Sequence, residues 1–330
     1  MKQFFVTGST GYIGSQLCLA LANRGNKVVA MYRDTNKTAP LKHPNIKLVK
    51  GDLFKTEVLE TAMSNCDGLF HTAACARLWM KDQSAFYETN VKGTNNVIKA
   101  ALKSGIKRAV FTSTAGVFGP SNGMPVNENH NRNIPPFNEY ERTKEIADKF
   151  IAEVPSNELE TVIVYPTRVF GPGLLSESNG VTRMIKQYLE GSWHTIPGNG
   201  KSIGNYVYID DVVQGHILAY ENGTPGGKYL LGGSDINYLE FFTILKKLSQ
   251  KNSYLINIPP FIIWLIAKSF TVVADITKKP PLLTPDLAKK FLYNWETDCN
   301  KAIEELNYRP LTFQEGMQRT IDWLKSSPFL

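Results

Sequence analysis

Apolar and polar positions in the first half of the chain follow two alternating rhythms. Short apolar runs at 4–6, 27–32, 46–49, 68–72, 108–113 and 161–165 have the length of buried strands. Helical patterns lie between them. Ile13, Leu17 and Leu21 share one helix face, Val58, Leu59, Ala62 and Met63 share another, and long helices are expected over 84–104 and 139–153. Strands alternating with helices at this spacing predict an α/β fold built on a parallel, doubly wound sheet. The rhythm changes beyond Pro166, where Pro and Gly crowd 166–173 and 197–204 and helices dominate the rest. The division expected is a nucleotide-binding domain over 1–165 and a smaller, mainly helical substrate domain over 166–330. Residues from about 205 to 232 should return to the edge of the first domain. The Gly-, Pro- and Asn-rich stretch 119–136 reads as a loop.

The first strand breaks at Thr7-Gly8 and leads into the first helix through Gly8-x-x-Gly11-x-x-Gly14. Strand, glycine turn and helix begin a dinucleotide-binding βαβ unit of the Rossmann type. Gly8 permits the tight turn, Gly11 lets a pyrophosphate approach the backbone, and Gly14 lets the helix pack close to the strand. The free N–H groups of the helix N-terminus then hold the phosphates. Glycines at this spacing also occur in purely structural turns; the position directly after an N-terminal strand favours the binding role.

With 330 residues the chain can bury a sizeable core, and 42% hydrophobic with 20% charged residues is ordinary for a globular protein. A net charge of +7 allows an acidic ligand such as a dinucleotide. Lys246-Lys247, Lys278-Lys279 and Lys289-Lys290 are isolated pairs, so no nucleic-acid partner is expected. The four cysteines, Cys18, Cys66, Cys75 and Cys299, have no Cys-x-x-Cys spacing; Cys18 and Cys75 read as small core residues of a reducing compartment. The five histidines lack metal-ligand spacing, so no metal is expected. The first apolar run is too short for a signal peptide, which makes the cytoplasm the expected location. One stretch stands out by apolarity, 261–267 continuing through 270–274. It is too short and interrupted to span a membrane. A core helix, a greasy substrate lid and a peripheral membrane contact all fit it.

Tyr140 and Lys144 lie four apart on a predicted helix, about a turn apart on one face. A lysine ammonium there would favour phenolate and lower the tyrosine pKa from about 10. Such a tyrosine can pass a proton to or from a substrate oxygen. Tyr-x-x-x-Lys alone is a common spacing. It gains meaning from following the fifth strand, which ends in Ser113-Thr114 at the carboxyl edge of the sheet, where ligands bind.

Thr7-Gly-x-x-Gly-x-x-Gly14, Gly51-Asp52-Leu53, His71-Thr-Ala-Ala74, Asn90-Val-Lys-Gly-Thr94, Thr112-Ser-Thr114, Val117-Phe-Gly119, Tyr140-x-x-x-Lys144 and Pro166 with Gly171-Pro172 occur in a characteristic order. That order resembles the extended short-chain dehydrogenases/reductases of the NAD-dependent epimerase/dehydratase superfamily. The match runs nearly to the end, through 306–310 and Glu315-Gly316. Within that group the chain is most similar to dihydroflavonol-4-reductase-like, 3β-hydroxysteroid-dehydrogenase-like and hopanoid-associated sugar-epimerase-like members, the last through Ala76-Arg77-Leu78-Trp79. The resemblance implies that Thr114 polarises a substrate carbonyl, Tyr140 is the general acid and Lys144 also binds the nicotinamide ribose. Ser113, one residue off, is secondary. Asp52 and Leu53 would contact the adenine, Ala73 and Ala74 would line the cofactor, Pro166 would begin the loop beside the nicotinamide, and Asn90 would be structural. Cofactor contacts along the glycine loop would come from Gly8, Thr10, Gly11, Tyr12 and Ile13. A homodimer through the 84–104 and 139–153 helices is the family expectation.

Charge favours NADP(H) over NAD(H). The acidic residue that binds a ribose diol is absent at the end of the second strand, which has Tyr32 and then Arg33, suited to a 2′-phosphate. Similar sugar-nucleotide epimerases carry a diphosphate-gripping arginine where this chain has Gly204, and their second arginine has no counterpart near the C-terminus. Similar dehydratases carry an acidic residue where this chain has Ala115. The expectation is therefore an NADPH-dependent reductase of a hydrophobic ketone or aldehyde, with Trp79 and Tyr206 as pocket candidates. The alternatives are a nucleotide-sugar epimerase with tightly bound NAD and a non-catalytic NADP-sensing regulator on the same fold.

Overall fold

The computed structural model describes all residues except 78, 278–280, 282 and 328–330. Leu78 of the 76–79 motif and the Lys278-Lys279 pair therefore lie outside the described residues.

The strands are β1 (Gln3–Thr7), β2 (Lys27–Tyr32), β3 (Ile46–Lys50), β4 (Gly68–His71), β5 (Arg108–Thr112), β6 (Glu160–Pro166), β7 (Arg168–Phe170), β8 (Thr195–Pro197), β9 (Ile203–Tyr208), β10 (Lys228–Leu231), β11 (Ser234–Asn237) and β12 (Ile256–Ile258). Seven form one parallel sheet in the order β10-β6-β5-β4-β1-β2-β3. Strands covered on both faces need apolar side chains on both, which explains continuous runs such as Phe4-Phe5-Val6, all buried. The chain winds one way from β1 through β2 to β3 and the other way through β4, β5 and β6. The crevice at the β1/β4 switch, beyond the carboxyl ends of the strands, is where such a sheet takes ligands.

Of the stretch 205–232, the strand β10 joins this sheet beside β6, with Leu231 opposite Pro166. Residues 205–208 instead belong to β9, the centre of a small sheet ordered β11-β9-β7. The second half is thus less purely helical than its pattern suggests, and a further pair, β12-β8, lies there too. The strands of these small sheets are short, so Pro- and Gly-rich flanks hide them in the sequence. One apolar cluster runs from Val6 and Leu17 through Tyr206 and Phe241 to Leu324, joining both halves.

The helices are α1 (Tyr12–Asn23), α2 (Thr56–Met63), α3 (Ser84–Tyr87), α4 (Gly93–Lys103), α5 (Glu139–Ala152), α6 (Gly180–Leu189), α7 (Ile209–Asn222), α8 (Tyr238–Ser249), α9 (Pro260–Thr277), α10 (Pro285–Lys290), α11 (Asn300–Leu306) and α12 (Phe313–Ser326). The single helix expected over 84–104 is interrupted by a π-helical turn, Glu88–Lys92. Such turns accompany functional sites, and this one carries Asn90.

In α9, Ile263 and Ala267 pack beside Ala288 of α10 and Ala274 is also buried, while Phe261, Leu265, Val272, Val273 and Ile276 are exposed. It is therefore not a wholly buried core helix. Both faces are apolar, so hydrophobicity alone gives no inner side. No helix among the described residues is long and apolar enough to cross a membrane.

Candidate active site

The glycine turn after β1 is shaped by close contacts. Gly8 has φ +68°, and a Cβ there would lie 2.5 Å from the Ala73 backbone nitrogen, so only glycine fits. A Cβ on Gly14 would lie 2.2 Å from the Gly8 carbonyl oxygen and 2.6 Å from Thr72 Oγ1. Gly11 is freer, with the Gly8 oxygen at 3.1 Å as its only near neighbour. It is the N-cap of α1, and no side chain caps that helix. Its first turn is left for a ligand with acceptor oxygens. Thr10 and Ile13 flank this turn, half-buried. The Tyr12 phenol is engaged elsewhere, donating to the Gly171 carbonyl at 3.0 Å, so only the Tyr12 backbone remains for a cofactor.

Arg33 is exposed at the end of β2. The first carboxylate after it, Asp34, accepts from the Asn36 N–H at 3.0 Å and caps the following turn. Asp52 Oδ1 accepts from Phe54 N, and the Leu53 side chain is buried under Gly93 while its carbonyl accepts from Asn96.

Beyond β4 a buried hydrogen-bond chain sets the position of 73–75. His71 lies between Thr7 Oγ1 (2.7 Å from Nδ1) and Thr94 Oγ1 (3.0 Å from Nε2). Thr94 donates to the Asn90 carbonyl, so the consistent tautomer donates from Nε2 and accepts at Nδ1. Burial, with the nearby Lys144 charge, lowers the His71 pKa to about 3, so the ring is neutral. Asn90 completes the chain. Its Oδ1 accepts from Cys75 N at 2.7 Å, and its Nδ2 donates to Thr143 Oγ1 at 2.9 Å. The π turn thus ties the segment beside Ala73 and Ala74 to α5. Cys75, expected in the core, is half-buried instead, because Asn90 grips its backbone at the cleft edge. Burial pushes its thiol up, while Arg77 and Arg33 oppose, so the Arg33 charge lies near this segment.

Asn138 caps α5 through Glu141 N, and Tyr140 and Lys144 follow one turn apart. The Thr114 hydroxyl lies near the Tyr140 phenol and favours its charged form. Thr114 also caps the turn after β5, accepting from Gly116 N at 3.2 Å. Ser113 points the other way, donating to buried Asp148 at 2.8 Å. Lys144 is only 2% exposed and has no hydrogen-bond or ion-pair partner among the described residues. Burial lowers its pKa, opposed by Asp148, and burial raises the Asp148 carboxyl to about 6 against the pull of Lys144. Lowering of the Tyr140 pKa by Lys144 is not what the protein alone provides. Burial pushes the phenol up, the charges of Asp148 and Glu141 add to this, and only the nearby Thr114 hydroxyl counters. Desolvation dominates, and the Tyr140 phenol is neutral at pH 7.

Beside Thr114 opens a cavity of about 120 Å³, lined by Thr114, Pro166, Arg168, Asn205, Lys290 and Trp295 among others. Neither pocket candidate from the sequence lines it. Tyr206 is 2% exposed, beneath Arg168, with its hydroxyl meeting the guanidinium; Trp79 is half-buried in the segment after β4. The loop 119–136 is held against the cavity wall by bridges from Ser121 to Asn294 and Val126 to Thr297. Glu141 pins the same region, paired with Arg132 at 2.8 Å and with Lys290. Sequence spacing does not reveal Asn205, Lys290 or Trp295, because they arrive from distant segments. Arg168 left a faint signal, a lone arginine in a Pro- and Gly-rich stretch with no carboxylate within four positions.

The sequence profile described as "NAD dependent epimerase/dehydratase family" matches residues 4–232. A "putative dihydroflavonol 4-reductase" of Synechocystis sp. is 28% identical, over 99% of this chain and 96% of its own. A "2-alkyl-3-oxoalkanoate reductase" of Stenotrophomonas maltophilia is 28% identical, over 96% of this chain and 98% of its own. Among solved structures, the UDP-glucose 4-epimerase of Thermotoga maritima with UDP-glucose superimposes with a TM-score of 0.79 at 23% identity, covering 98% of each chain, which speaks to fold alone. On this sheet and with this site, the chain belongs to the NAD-dependent epimerase/dehydratase family and is an NAD(P)-dependent oxidoreductase acting on CH–OH or C=O groups.

Proposed function

We propose that the protein is an NADPH-dependent reductase of a carbonyl compound with a largely apolar body. The observation that carries this is Thr114 on the cavity wall with the Tyr140 phenol close to its hydroxyl, and Lys144, without a hydrogen-bond or ion-pair partner among the described residues, one turn along α5. The residues present fit a nicotinamide dinucleotide. Gly11 leaves an uncapped helix start, a Cβ at Gly8 or Gly14 would close the turn, and Lys144 holds its charge free of protein partners. When bound there, such a cofactor supplies a hydride. Thr114 Oγ1 donates to the substrate carbonyl oxygen and orients it. Tyr140, kept protonated by burial, gives its proton to that oxygen, and Lys144 stabilises the phenolate left behind. Residues 1–165, with about 205–232, would hold the cofactor and 166–330 the substrate. The proposed assembly is a homodimer through the helical segments 84–104 and 139–153, working in the cytoplasm.

NADP(H) preference is part of the proposal. Its support is Arg33 at the end of β2 and the engagement of Asp34 as a cap. Titration with NADPH and NADH, with mass spectrometry of any retained cofactor, tests it. Arg33→Ala is expected to weaken NADPH about ten- to a hundredfold, the worth of a charge-assisted hydrogen bond, and to leave NADH nearly unchanged. Tightly retained NAD would favour a second reading, a nucleotide-sugar epimerase. The presence of Arg168 beside Gly204 is the observation in its favour.

The outer face of α9 is proposed as a peripheral membrane contact, with Lys268 stacked 4.0 Å over the Trp264 ring. Replacing Phe261, Val272 and Ile276 together by Ser is expected to abolish co-sedimentation with phospholipid vesicles and leave the melting temperature unchanged or raised. Equal sedimentation of both forms would end this proposal.

A further inference from the structure

Arg168 lines the cavity with a charge that no ion pair engages among the described residues. It stands on β7 opposite Tyr206 of β9. Its Nη1 donates to the hydroxyls of Tyr206 and Tyr238, each at 3.2 Å, and its guanidinium carbon lies 5.5 Å from the Tyr206 ring centre. Among the described residues it forms no ion pair, and its Nε and Nη2 have no hydrogen-bond partner. The other cation of the cavity, Lys290, is paired with Glu141. Glu296 on the cavity wall accepts from Ser121 at 3.0 Å and Asp235 accepts from Asn205 at 2.7 Å, and neither pairs with Arg168.

Gly204 makes the room for this arginine. A Cβ there would lie 2.5 Å from Nη1 and 2.8 Å from the guanidinium carbon. The cation missing from position 204 is thus delivered from the neighbouring strand, into a cavity that also holds Thr114. A half-buried guanidinium with only phenol partners is costly to keep unless a ligand completes it, and its planar fork matches one carboxylate. A diphosphate spreads its charge over two groups. No second free arginine lines the cavity, and Arg309 donates to the carbonyls of Ile303 and Tyr308 instead.

We infer that the substrate is an oxo acid, whose carboxylate is held by Arg168 while its carbonyl reaches Thr114 and Tyr140. This rests on the reductase reading and names its substrate class. The carboxylate takes no part in bond making. The carbonyl carbon gains a hydride from the reduced nicotinamide, which is thereby oxidised, and the oxygen gains the Tyr140 proton.

The test is NADPH-dependent reduction of oxoalkanoates, with the ketone at successive distances from the carboxylate, each beside its methyl ester. Wild type should prefer at least one acid over its ester by about tenfold or more in kcat/KM, the worth of one charge-assisted pair. Arg168→Met should erase that preference through KM, with kcat on the ester retained. Gly204→Ala, which keeps the charge but displaces Nη1, should reduce the preference in the same direction. A merely structural arginine would lower acid and ester turnover together, and an unchanged acid/ester ratio in Arg168→Met would overturn the inference. If no carbonyl is reduced at all, the reductase reading fails separately, and titration of the NADPH-loaded protein with octanoate decides this one. Saturable binding lost in Arg168→Met supports it, and its absence overturns it. Arg168-dependent binding of UDP-glucose without binding of octanoate would assign the arginine to a diphosphate and overturn the oxo-acid class.

Discussion

Tyr140→Phe is expected to lower kcat for carbonyl reduction by roughly a hundred- to ten-thousandfold, the range of a positioned general acid. NADPH affinity and KM should barely move, since the phenol oxygen acts on the transition state more than on binding. The phenylalanine keeps the ring packing on α5 and removes only the proton donor that meets Thr114. Thr114→Val should lose less, because Tyr140 still delivers its proton while orientation of the carbonyl suffers. Burial raises the Tyr140 pKa above its usual value, so the acid form is present throughout the neutral range. The reductive kcat should therefore stay flat with rising pH until well into the alkaline range. Steady-state kinetics of both variants from pH 6 to pH 10 reads all of this. Near-wild-type turnover in Tyr140→Phe would remove the residue from the mechanism.

The second large effect is expected at Gly14. In Gly14→Ala the new methyl would meet the Gly8 carbonyl oxygen at 2.2 Å, and backbone atoms cannot step aside as a flexible side chain can. Forcing α1 away from β1 should cost about 1–3 kcal/mol of stability, as overpacking does, and should abolish measurable NADPH binding. Gly11→Ala is the informative contrast. Its nearest neighbour is at 3.1 Å and its φ of −86° suits alanine, so stability should fall less. Its methyl still stands where the helix start must admit a phosphate, so binding should weaken strongly. Urea unfolding and NADPH titration on the two variants separate packing from cradle. If Gly11→Ala binds NADPH as wild type does, the pyrophosphate does not approach at this turn.

These expectations differ in how far they could be read without a fold. Tyr140 and Lys144 are four apart on one helix, and Gly8, Gly11 and Gly14 span a single turn. Geometry over so short a range is dictated by local backbone periodicity, and the order of strand and helix patterns follows from apolar spacing alone. Substrate chemistry was less legible. Gly204 looked like a missing arginine, yet β7 brings Arg168 into the space it vacates. Positions 168 and 204 become neighbours only through the β7–β9 pairing.

The sequence by itself determined the parallel sheet, the glycine turn and the spacing of Tyr140 and Lys144, because each depends on side-chain size and period within a few residues. Only the tertiary structure decided the rest. It showed that burial keeps Tyr140 protonated, since desolvation is a property of everything packed around a group. It showed that Asn90 binds both Cys75 and Thr143 from a π turn. It showed which apolar face of α9 is left outside, and that a cation without a carboxylate partner stands in the cavity beside Thr114. Each of these is set by segments tens of residues apart, whose meeting no local pattern records.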